Sequence, residues 1–575
     1  MFIWKTDSGD FFRLNLFNKY FVLFLLFASL FCSCASNTSA SLSSVNDSDE
    51  NDSFPLVKSM ISEIEHTCKN EQVKQFYRSY ILLSEYPDNE DVKDLFVRSF
   101  ERTKDSLKNL VENEDYIELY TQYNAINKIC SLATSCYGQV SSLSISEYNE
   151  DFLKAKNLIF SNEQRKLIPS SSRPLEKFSS VIDGTVTIWM DLGVKMMQGR
   201  AYANRAIGSG FFIDQRGYII TNYHVISSEV DPKYEGISKL YIKLNEDSET
   251  RISAKVVGFD KGLDIALLKT EASPLYTFSL GSSSALDVGD EIFAIGSPIG
   301  LERTLTRGIV SAEGRQLFSI GKVMQIDAAL NQGNSGGPII DRAGNVQGIA
   351  FAGMVDYEGL NFAIPVEYLT ANLPYLYLGE VKHSYIGAFG RTNKSEDGKN
   401  DGVEVLWLES NSNAKIAGLE EGDVIQKVNS YPIANLDELH KRFVEIRPHS
   451  IIELEVKKSD GNRKTLYVYA DVRRDDPMLQ IFRNETVENA FYPLFGLKLK
   501  RSSSVYKSKF IVESVLKGSV ADESGFSEND PIQIFKTFVQ EDKYILSEVY
   551  SKKKMNGYLD AAMVLATLLD SEKLF

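Results

Sequence analysis

Residues 331–338, with the sequence NQGNSGGP, restrict the folding of this chain more than any other stretch. They place one serine, Ser335, among glycines at 333, 336 and 337. Because glycine has no Cβ, these positions can take backbone angles that other residues avoid, and the amides of Gly333 and Ser335 can then point at one negative oxygen. The pattern predicts a tight turn that presents a serine hydroxyl beside two oxyanion-binding amides.

A serine hydroxyl is a weak nucleophile at neutral pH, so the turn needs a nearby base and a carboxylate that orients the base. Among the histidines, only His224 lies in a suitable context, at the end of an apolar hairpin whose turn is 214–217. Asp264 stands alone in the apolar run 263–268, where an unpaired carboxylate would be costly. We therefore predict that Asp264 pairs with His224 and that His224 serves Ser335.

The order His224, Asp264, Ser335 is that of chymotrypsin-like enzymes. With TNYHV at 221–225, GLDIALLK at 262–269 and GNSGGP at 333–338, the chain resembles the HtrA/Deg family of serine proteases. The resemblance implies a mainly β, multidomain chain with a chymotrypsin-like double β-barrel over 176–378.

The same resemblance implies where the substrate side chain binds. Strand residues Ile349, Ala350 and Phe351 would line the specificity pocket together with residues just before Ser335. Because no acid stands in that strand to receive Lys or Arg, we expect cleavage after small or medium aliphatic residues.

A second pattern runs from 383 to 474. It contains the segment AKIAGLEEGDVI at 414–425 and closes with alternating apolar residues, and it resembles a PDZ domain, an α+β fold. In that fold a loop caps the carboxylate of an extended peptide that adds to a sheet edge, and helix 436–444 would form the other wall of the groove. A PDZ fold with a blocked groove is the alternative. The carboxylate loop would consist of Tyr385, Ile386, Gly387, Ala388 and Phe389.

A weaker copy of the same pattern occupies 490–575. Gly525 and Asp530 fall where the first copy has Gly418 and Asp423. The stretch 559–569 predicts a helix, which leaves little room for a closing strand. We expect a degenerate PDZ-like second domain, and the sequence leaves open whether it binds a peptide.

The N-terminal third differs from the rest. Residues 54–169 carry apolar side chains at helical spacing and predict an α-helical module that precedes the protease. Basic residues before the apolar run 20–30 indicate a signal peptide over 1–34, and Cys34 after a small residue resembles a lipoprotein lipidation site. Cys32, a simple cleaved signal and an uncleaved anchor are the alternatives. Residues 35–53, rich in Ser, Asn and Asp, predict a disordered tether.

Composition narrows the function classes. A formal charge of −15 leaves no basic surplus to neutralise phosphates, so we expect no nucleic-acid partner. The sequence contains no HExxH, paired CxxC or P-loop pattern, and we expect no metal and no cofactor.

Together with these patterns, the family resemblance implies an ATP-independent serine endopeptidase of the bacterial cell envelope, on the periplasmic side or the surface and attached through a lipid or a signal anchor. It would degrade misfolded or damaged proteins and recognise peptide C-termini through its PDZ domain. The resemblance also implies a homotrimer or a larger assembly. Two alternatives stay open: a catalytically silent or regulated PDZ scaffold that binds unfolded clients, and a signalling protease that cuts one partner after sensing its C-terminus.

Overall fold

The computed structural model describes residues 53–137, 143–161, 170–197, 200–234, 238–244, 250–296, 304–331, 333–351, 360–502, 508–554 and 558–575. The predicted signal peptide, nearly all of the tether and both candidate lipidation cysteines, Cys32 and Cys34, lie outside these residues. No helix in the described ranges combines the length and the apolar character that a bilayer crossing requires.

Helices form the first module, where the sequence has apolar residues at helical spacing. Their bounds are α1 Ser53–Thr67, α2 Gln72–Glu85, α3 Glu90–Glu112, α4 Tyr116–Tyr137 and α5 Asn149–Phe160. The apolar faces close on an aromatic core, in which the Phe76 and Phe96 rings stack with centroids 4.8 Å apart. The Asn89 side chain accepts a 3.2 Å hydrogen bond from the Val92 amide and caps the start of α3.

The next strands close into a β-barrel in the order β1-β2-β3-β6-β5-β4. This first barrel and its helices comprise α6 Ser179–Ile182, β1 Thr185–Met197, β2 Arg200–Phe212, β3 Tyr218–Thr221, α7 Tyr223–Val230, β4 Lys239–Lys243, β5 Ile252–Asp260 and β6 Ile265–Thr270. β6 is buried along most of its length, because it pairs with β3 on one side and β5 on the other.

A second barrel closes in the order β10-β11-β12-β9-β8-β7. It comprises β7 Glu291–Gly296, β8 Thr304–Arg315, β9 Val323–Ile326, β10 Pro338–Ile340, β11 Val346–Phe351, β12 Asn361–Pro365 and the helix that follows them, α8 Val366–Leu376. Buried side chains from both barrels and from α8 form one core, to which Phe211, Ile295, Ile349 and Leu369 belong. This confirms the double-barrel fold that the sequence predicts.

The first PDZ module follows the protease barrels. Its elements are β13 Ser384–Tyr385, β14 Ala388–Lys394, β15 Asn400–Leu408, α9 Asn413–Ile416, β16 Val424–Val428, β17 Tyr431–Pro432, α10 Leu436–Glu445, β18 Ile451–Lys457, β19 Arg463–Tyr469 and β20 Asp471–Val472. β14 is the edge strand of the sheet β14-β15-β16-β18-β19, and α10 packs beside it.

The helical module packs on this first PDZ module. Arg78 donates to the Asn411 carbonyl at 3.0 Å and to Asn413 Oδ1 at 3.3 Å. The Tyr77 ring stacks on that of Tyr469, with centroids 5.7 Å apart, and both rings are fully buried. The α-helical module is therefore joined to the PDZ module through a desolvated aromatic contact.

A second PDZ-like module completes the described chain. Its elements are α11 Pro477–Asn484, α12 Val487–Phe495, β21 Leu497–Arg501, β22 Lys509–Val515, α13 Val520–Glu523, β23 Pro531–Gln540, β24 Tyr544–Lys554 and β25 Tyr558–Leu568.

The predicted helix over 559–569 is wrong, because this stretch forms β25 and pairs antiparallel with β24. Its inward positions, such as Leu565, are buried, but outward positions carry apolar residues as well: Val564 is 58% and Leu568 54% exposed. Apolar residues on both faces hide the period of two that identifies a strand. The module therefore has a closing strand, for which the predicted helix would have left little room.

Candidate active site

The serine turn lies between β9 and β10, and its backbone explains its glycines. Gly333 has φ +102° and Gly336 has φ +86°, both in the left-handed region that side chains disfavour. A Cβ on Gly336 would stand 2.2 Å from Thr221 Oγ1 and 2.3 Å from the Ser209 carbonyl oxygen. The turn is therefore held tightly against the end of β3, three residues before His224.

Two hydrogen bonds join His224 to Asp264. The His224 backbone amide donates to Asp264 Oδ1 at 2.7 Å, and ring atom Nδ1 lies 2.7 Å from Oδ2. Asp264 precedes β6 with φ +56°, a conformation that Asp tolerates better than most residues. Its side chain is 9% exposed and that of His224 is 45% exposed. A buried carboxylate thus orients an imidazole that remains open to solvent.

The Ser335 backbone is bound to β2, near the start of α7. Its carbonyl oxygen accepts a 2.8 Å hydrogen bond from the Ser209 amide in β2. A Cβ on Gly208 would stand 2.6 Å from Val225 Cγ1 and 3.3 Å from the Ser335 carbonyl oxygen, so the serine turn and α7 approach each other there. Within the described ranges, no hydrogen bond joins Ser335 Oγ to the imidazole. In enzymes without substrate this bond is often long and tightens on binding.

Two amides of the turn have no acceptor among the described residues. The Gly333 and Ser335 amides donate no hydrogen bond there, whereas the Gly336 amide donates to the Ala350 carbonyl at 2.9 Å. Ser209 Oγ donates to the Gly333 carbonyl at 2.6 Å, and this bond holds the turn against β2. The two unused donors are the pair that could stabilise an oxyanion.

The predicted specificity strand adjoins the histidine. The Phe351 ring is half-buried and meets the His224 ring edge to face, with centroids 6.1 Å apart. It also contacts the Phe318 ring, with centroids 4.9 Å apart. Ile349 is buried in the core that both barrels share and Ala350 in the interior of the second barrel. That this strand lines a specificity pocket stays a prediction.

Supporting residues that the sequence analysis missed hold the aspartate in place. Asn222 Nδ2 donates to the Asp264 carbonyl at 2.9 Å. Asp260 Oδ1 accepts the Leu263 amide at 3.0 Å and lies 2.9 Å from His383 Nε2, in a pair buried from solvent. This pair ties the turn before Asp264 to the start of the first PDZ module. Because its members are 123 positions apart, no local pattern could have joined them.

The predicted carboxylate loop of the first PDZ module connects two cores. Ile386 and Ala388 pack into the core of the first module, whereas Tyr385 and Phe389 pack into the core of the second. Tyr385 donates from its hydroxyl to Glu409 Oε1 at 2.8 Å. Burial raises the pKa of Glu409, and burial together with the charge of Glu409 raises that of Tyr385. The loop is therefore fixed on both sides.

Other ionisable groups lie near this loop. His440 on α10 is buried, and burial lowers its pKa to about 4. Burial raises the pKa of Asp570, which receives a 2.6 Å hydrogen bond from Arg473. Within the described residues, no group of three or more His, Cys, Asp or Glu is arranged to hold a metal ion.

Comparisons with known proteins agree with this architecture. The family described as "Trypsin-like peptidase domain" matches residues 208–349, and the family described as "TP0546 family PDZ domain" matches residues 478–569. Among solved structures, "HtrA-type protease AlgW with decapeptide" is 25% identical and covers 52% of this chain and 97% of that one, at a TM-score of 0.43.

Curated relatives extend the match. A protein of Marinomonas sp. (strain MWYL1), named "Probable periplasmic serine endoprotease DegP-like", is 31% identical over 341 residues, which are 57% of this chain and 70% of the relative. A protein of the same name from Pseudomonas savastanoi pv. phaseolicola is 35% identical over 289 residues, 48% of this chain and 58% of the relative. The chain thus spans little more than half the length of several relatives that it matches.

Two closed barrels, a serine turn beside a histidine–aspartate pair and appended PDZ modules define the class of trypsin-like peptidases with PDZ domains. The chain belongs to the HtrA/DegP-like family of serine endoproteases.

Proposed function

We propose that this chain is an ATP-independent serine endopeptidase with His224, Asp264 and Ser335 as its catalytic residues. One observation carries the proposal: Asp264 holds His224 at two points beside a serine turn with two unused amides. An oriented base, a nearby hydroxyl and free donors are the groups that acyl transfer requires.

Each residue has a defined part in the reaction. His224 Nε2 takes the proton from Ser335 Oγ as the hydroxyl attacks the scissile carbonyl, and later gives it to the leaving amine. Asp264 keeps the other ring proton on Nδ1 and stabilises the imidazolium. The Gly333 and Ser335 amides bind the oxyanion, each contributing roughly 3 kcal/mol of transition-state stabilisation. Water then hydrolyses the acyl-enzyme on Ser335 by the same proton transfers in reverse.

Substrate selection divides between two surfaces. The half-buried Phe351 ring beside His224 and the apolar strand that bears it favour cleavage after small or medium aliphatic residues. The first PDZ module would recognise the C-termini of unfolded or damaged proteins, because β14 is a sheet edge that an extended peptide can join.

The proposal includes a location, which the names of the relatives support, and an assembly, which the family resemblance implies. The names of the relatives contain the word "periplasmic", which supports a place in the bacterial cell envelope. Lipidation at Cys34, with Cys32 as the alternative, would attach the chain to a membrane. A homotrimer or larger assembly is the arrangement that the family resemblance implies.

The test is digestion of denatured casein by the full chain, with labelling by a fluorophosphonate probe. Ser335→Ala should abolish both cleavage and labelling without loss of the fold. Ser180→Ala is the matched control, since Ser180 is exposed and its hydroxyl donates to the Lys177 carbonyl at 2.8 Å, and it should keep both activities. Cleavage by Ser335→Ala at the parent rate would refute the assignment.

A PDZ scaffold or chaperone with a silent or regulated triad is the second candidate. It is favoured by the missing hydrogen bond between Ser335 Oγ and the imidazole in the described chain. The same probe separates the two functions, because labelling of Ser335 requires an assembled triad. A parent chain that binds unfolded casein but takes up no label would be a scaffold.

A further inference from the structure

The last residues of the chain lie in the groove of the first PDZ module. We name residues 573–575 the terminal segment; it runs antiparallel to β14, with Leu574 opposite Phe389. The Phe575 amide donates to the Ala388 carbonyl at 2.9 Å, and the Gly390 amide donates to the Lys573 carbonyl at 2.9 Å. This is the hydrogen-bond pattern of a peptide strand added to a sheet edge.

The predicted carboxylate loop holds the end of this segment. The Ile386 and Ala388 amides both donate to the Phe575 oxygen, at 3.4 and 3.1 Å. Two converging amides are what a peptide carboxylate would bind, and here they bind the chain itself. The loop at 385–389 therefore has an occupant in this structure.

The side chain of Phe575 fills the apolar part of the groove. It is 1% exposed and belongs to the core of the first PDZ module. Its ring meets the Phe443 ring of α10 edge to face, with centroids 6.0 Å apart. A Cβ on Gly390 would stand 3.0 Å from Phe575 Cε1, so the glycine provides the room for an aromatic ring. The groove is shaped for a large final side chain.

Leu574 anchors the segment on its other face. It is fully buried in the core of the second PDZ-like module, as expected where successive residues of a strand point in opposite directions. Arg473 clamps its backbone: Nη1 donates to the Leu574 carbonyl at 2.9 Å, and Nη2 donates to Asp570 Oδ1 at 2.6 Å. The segment is therefore bound through its backbone and through the side chains of Leu574 and Phe575.

We propose that the groove of the first PDZ module is a receptor for extended peptides that end in an aromatic residue after an aliphatic one, and that Leu574 and Phe575 are its resident ligand. A partner's C-terminus must displace this segment before it can bind. The inference deepens the PDZ recognition within the proposed function and rests on that part of it. The groove is thus blocked from within, by a segment that competes with every external ligand.

A tethered ligand competes strongly. The stretch from the end of β25 to Leu574 is short, and a ligand on a short linker has an effective concentration on the order of millimolar. If the terminal segment itself binds the groove with an intrinsic Kd of about 100 μM, an external peptide would therefore lose roughly tenfold in apparent affinity. Removal of the terminal segment from the groove should therefore raise the apparent affinity for the external peptide by the same factor.

The test measures binding of a fluorescein-labelled hexapeptide with the sequence of residues 570–575, DSEKLF, by fluorescence anisotropy. All proteins are full chains with Ser335→Ala, so the readout involves no cleavage and survives a failure of the catalytic proposal. Phe575→Ala should bind the probe at least about fivefold more tightly than the parent, because an alanine leaves the aromatic site empty. Adding Phe443→Ala should remove the gain, which assigns the probe to the groove.

The control is Leu568→Ala, which shortens an exposed apolar side chain on β25 and should leave the Kd unchanged. A circular dichroism spectrum and a thermal melt verify the fold of each variant. If Phe575→Ala fails to fold, a chain extended by Gly-Ser after Phe575 carries the same test, since it keeps both side chains but displaces the end from the loop. A gain below about fivefold in the folded variant, or no probe binding by any variant, overturns the proposal.

Discussion

Replacement of Asp264 by Asn tests the proposed mechanism at its most constrained point. Both carboxylate oxygens are engaged by His224: Oδ1 by the backbone amide and Oδ2 by Nδ1. A carboxamide has one oxygen, and the fixed backbone N–H requires it. The new NH₂ group then faces Nδ1 and forces the ring proton onto Nε2. The imidazole of the variant cannot accept the proton of Ser335.

The expected loss is about 10⁴-fold in kcat, which corresponds to about 5 kcal/mol of transition-state stabilisation. The fold should survive, because Asn tolerates the φ of +56° at this position as well as Asp does. Water cannot replace the lost acceptor easily, since the Asp264 side chain is 9% exposed. The effect should therefore appear in the rate and not in the stability.

The assay is the initial rate of cleavage of fluorescently labelled casein, with a thermal melt of each protein. Asp287→Asn is the matched control: it makes the same change of charge on an exposed loop residue of the protease region and should keep the parent rate. If Asp264→Asn keeps more than about a tenth of the parent kcat, the tautomer argument is wrong.

Two further predictions concern stability. Gly336→Ala should destabilise the protease barrels by about 2–5 kcal/mol, because its backbone is left-handed and the added Cβ clashes with β3. Gly398→Ala is the control: its φ is +81°, but an added Cβ would meet nothing within 4 Å, so the loss of stability should be only about 1–2 kcal/mol. Urea unfolding of both variants measures the difference. The pKa of His440 is lowered to about 4 against an unfolded value near 6.5, so the unfolded chain binds more protons as the pH falls between these values. From pH 7 to pH 5 the first PDZ module should lose about 2 kcal/mol of stability, and His440→Leu should abolish this loss; equal pH dependence of the two proteins in urea melts would contradict it.

The proposed catalytic residues could be chosen from the sequence because each stands in a local pattern that its neighbours make unusual. Ser335 is surrounded by glycines, Asp264 is a lone acid in an apolar run, and His224 ends an apolar hairpin. In the structure, His224 and Asp264 share two hydrogen bonds, and the Ser335 carbonyl is bound to Ser209 of β2; that the three act together stays a prediction. Such patterns can be recognised without a structure, because each depends only on the residues next to it in the sequence.

Strand β25, where the sequence predicts a helix, shows the limit of local patterns. Its outward residues Val564 and Leu568 are apolar, so neighbouring residues gave no alternation to identify a strand. Pairing with β24, the preceding strand of the same sheet, decided the conformation. Here tertiary contact overrode the local preference.

The sequence by itself indicated the candidate catalytic residues and their order, because glycine turns and apolar runs act over a few residues, and the resemblance of its motifs to known families implied the two-barrel protease class and the PDZ pattern. Only the tertiary structure decided that Asp260 pairs with His383 and that Phe575 fills the groove beside Phe443. These contacts join positions more than a hundred residues apart. Their energy comes from burial and from hydrogen bonds that exist only after the modules have packed, so no stretch of sequence records them.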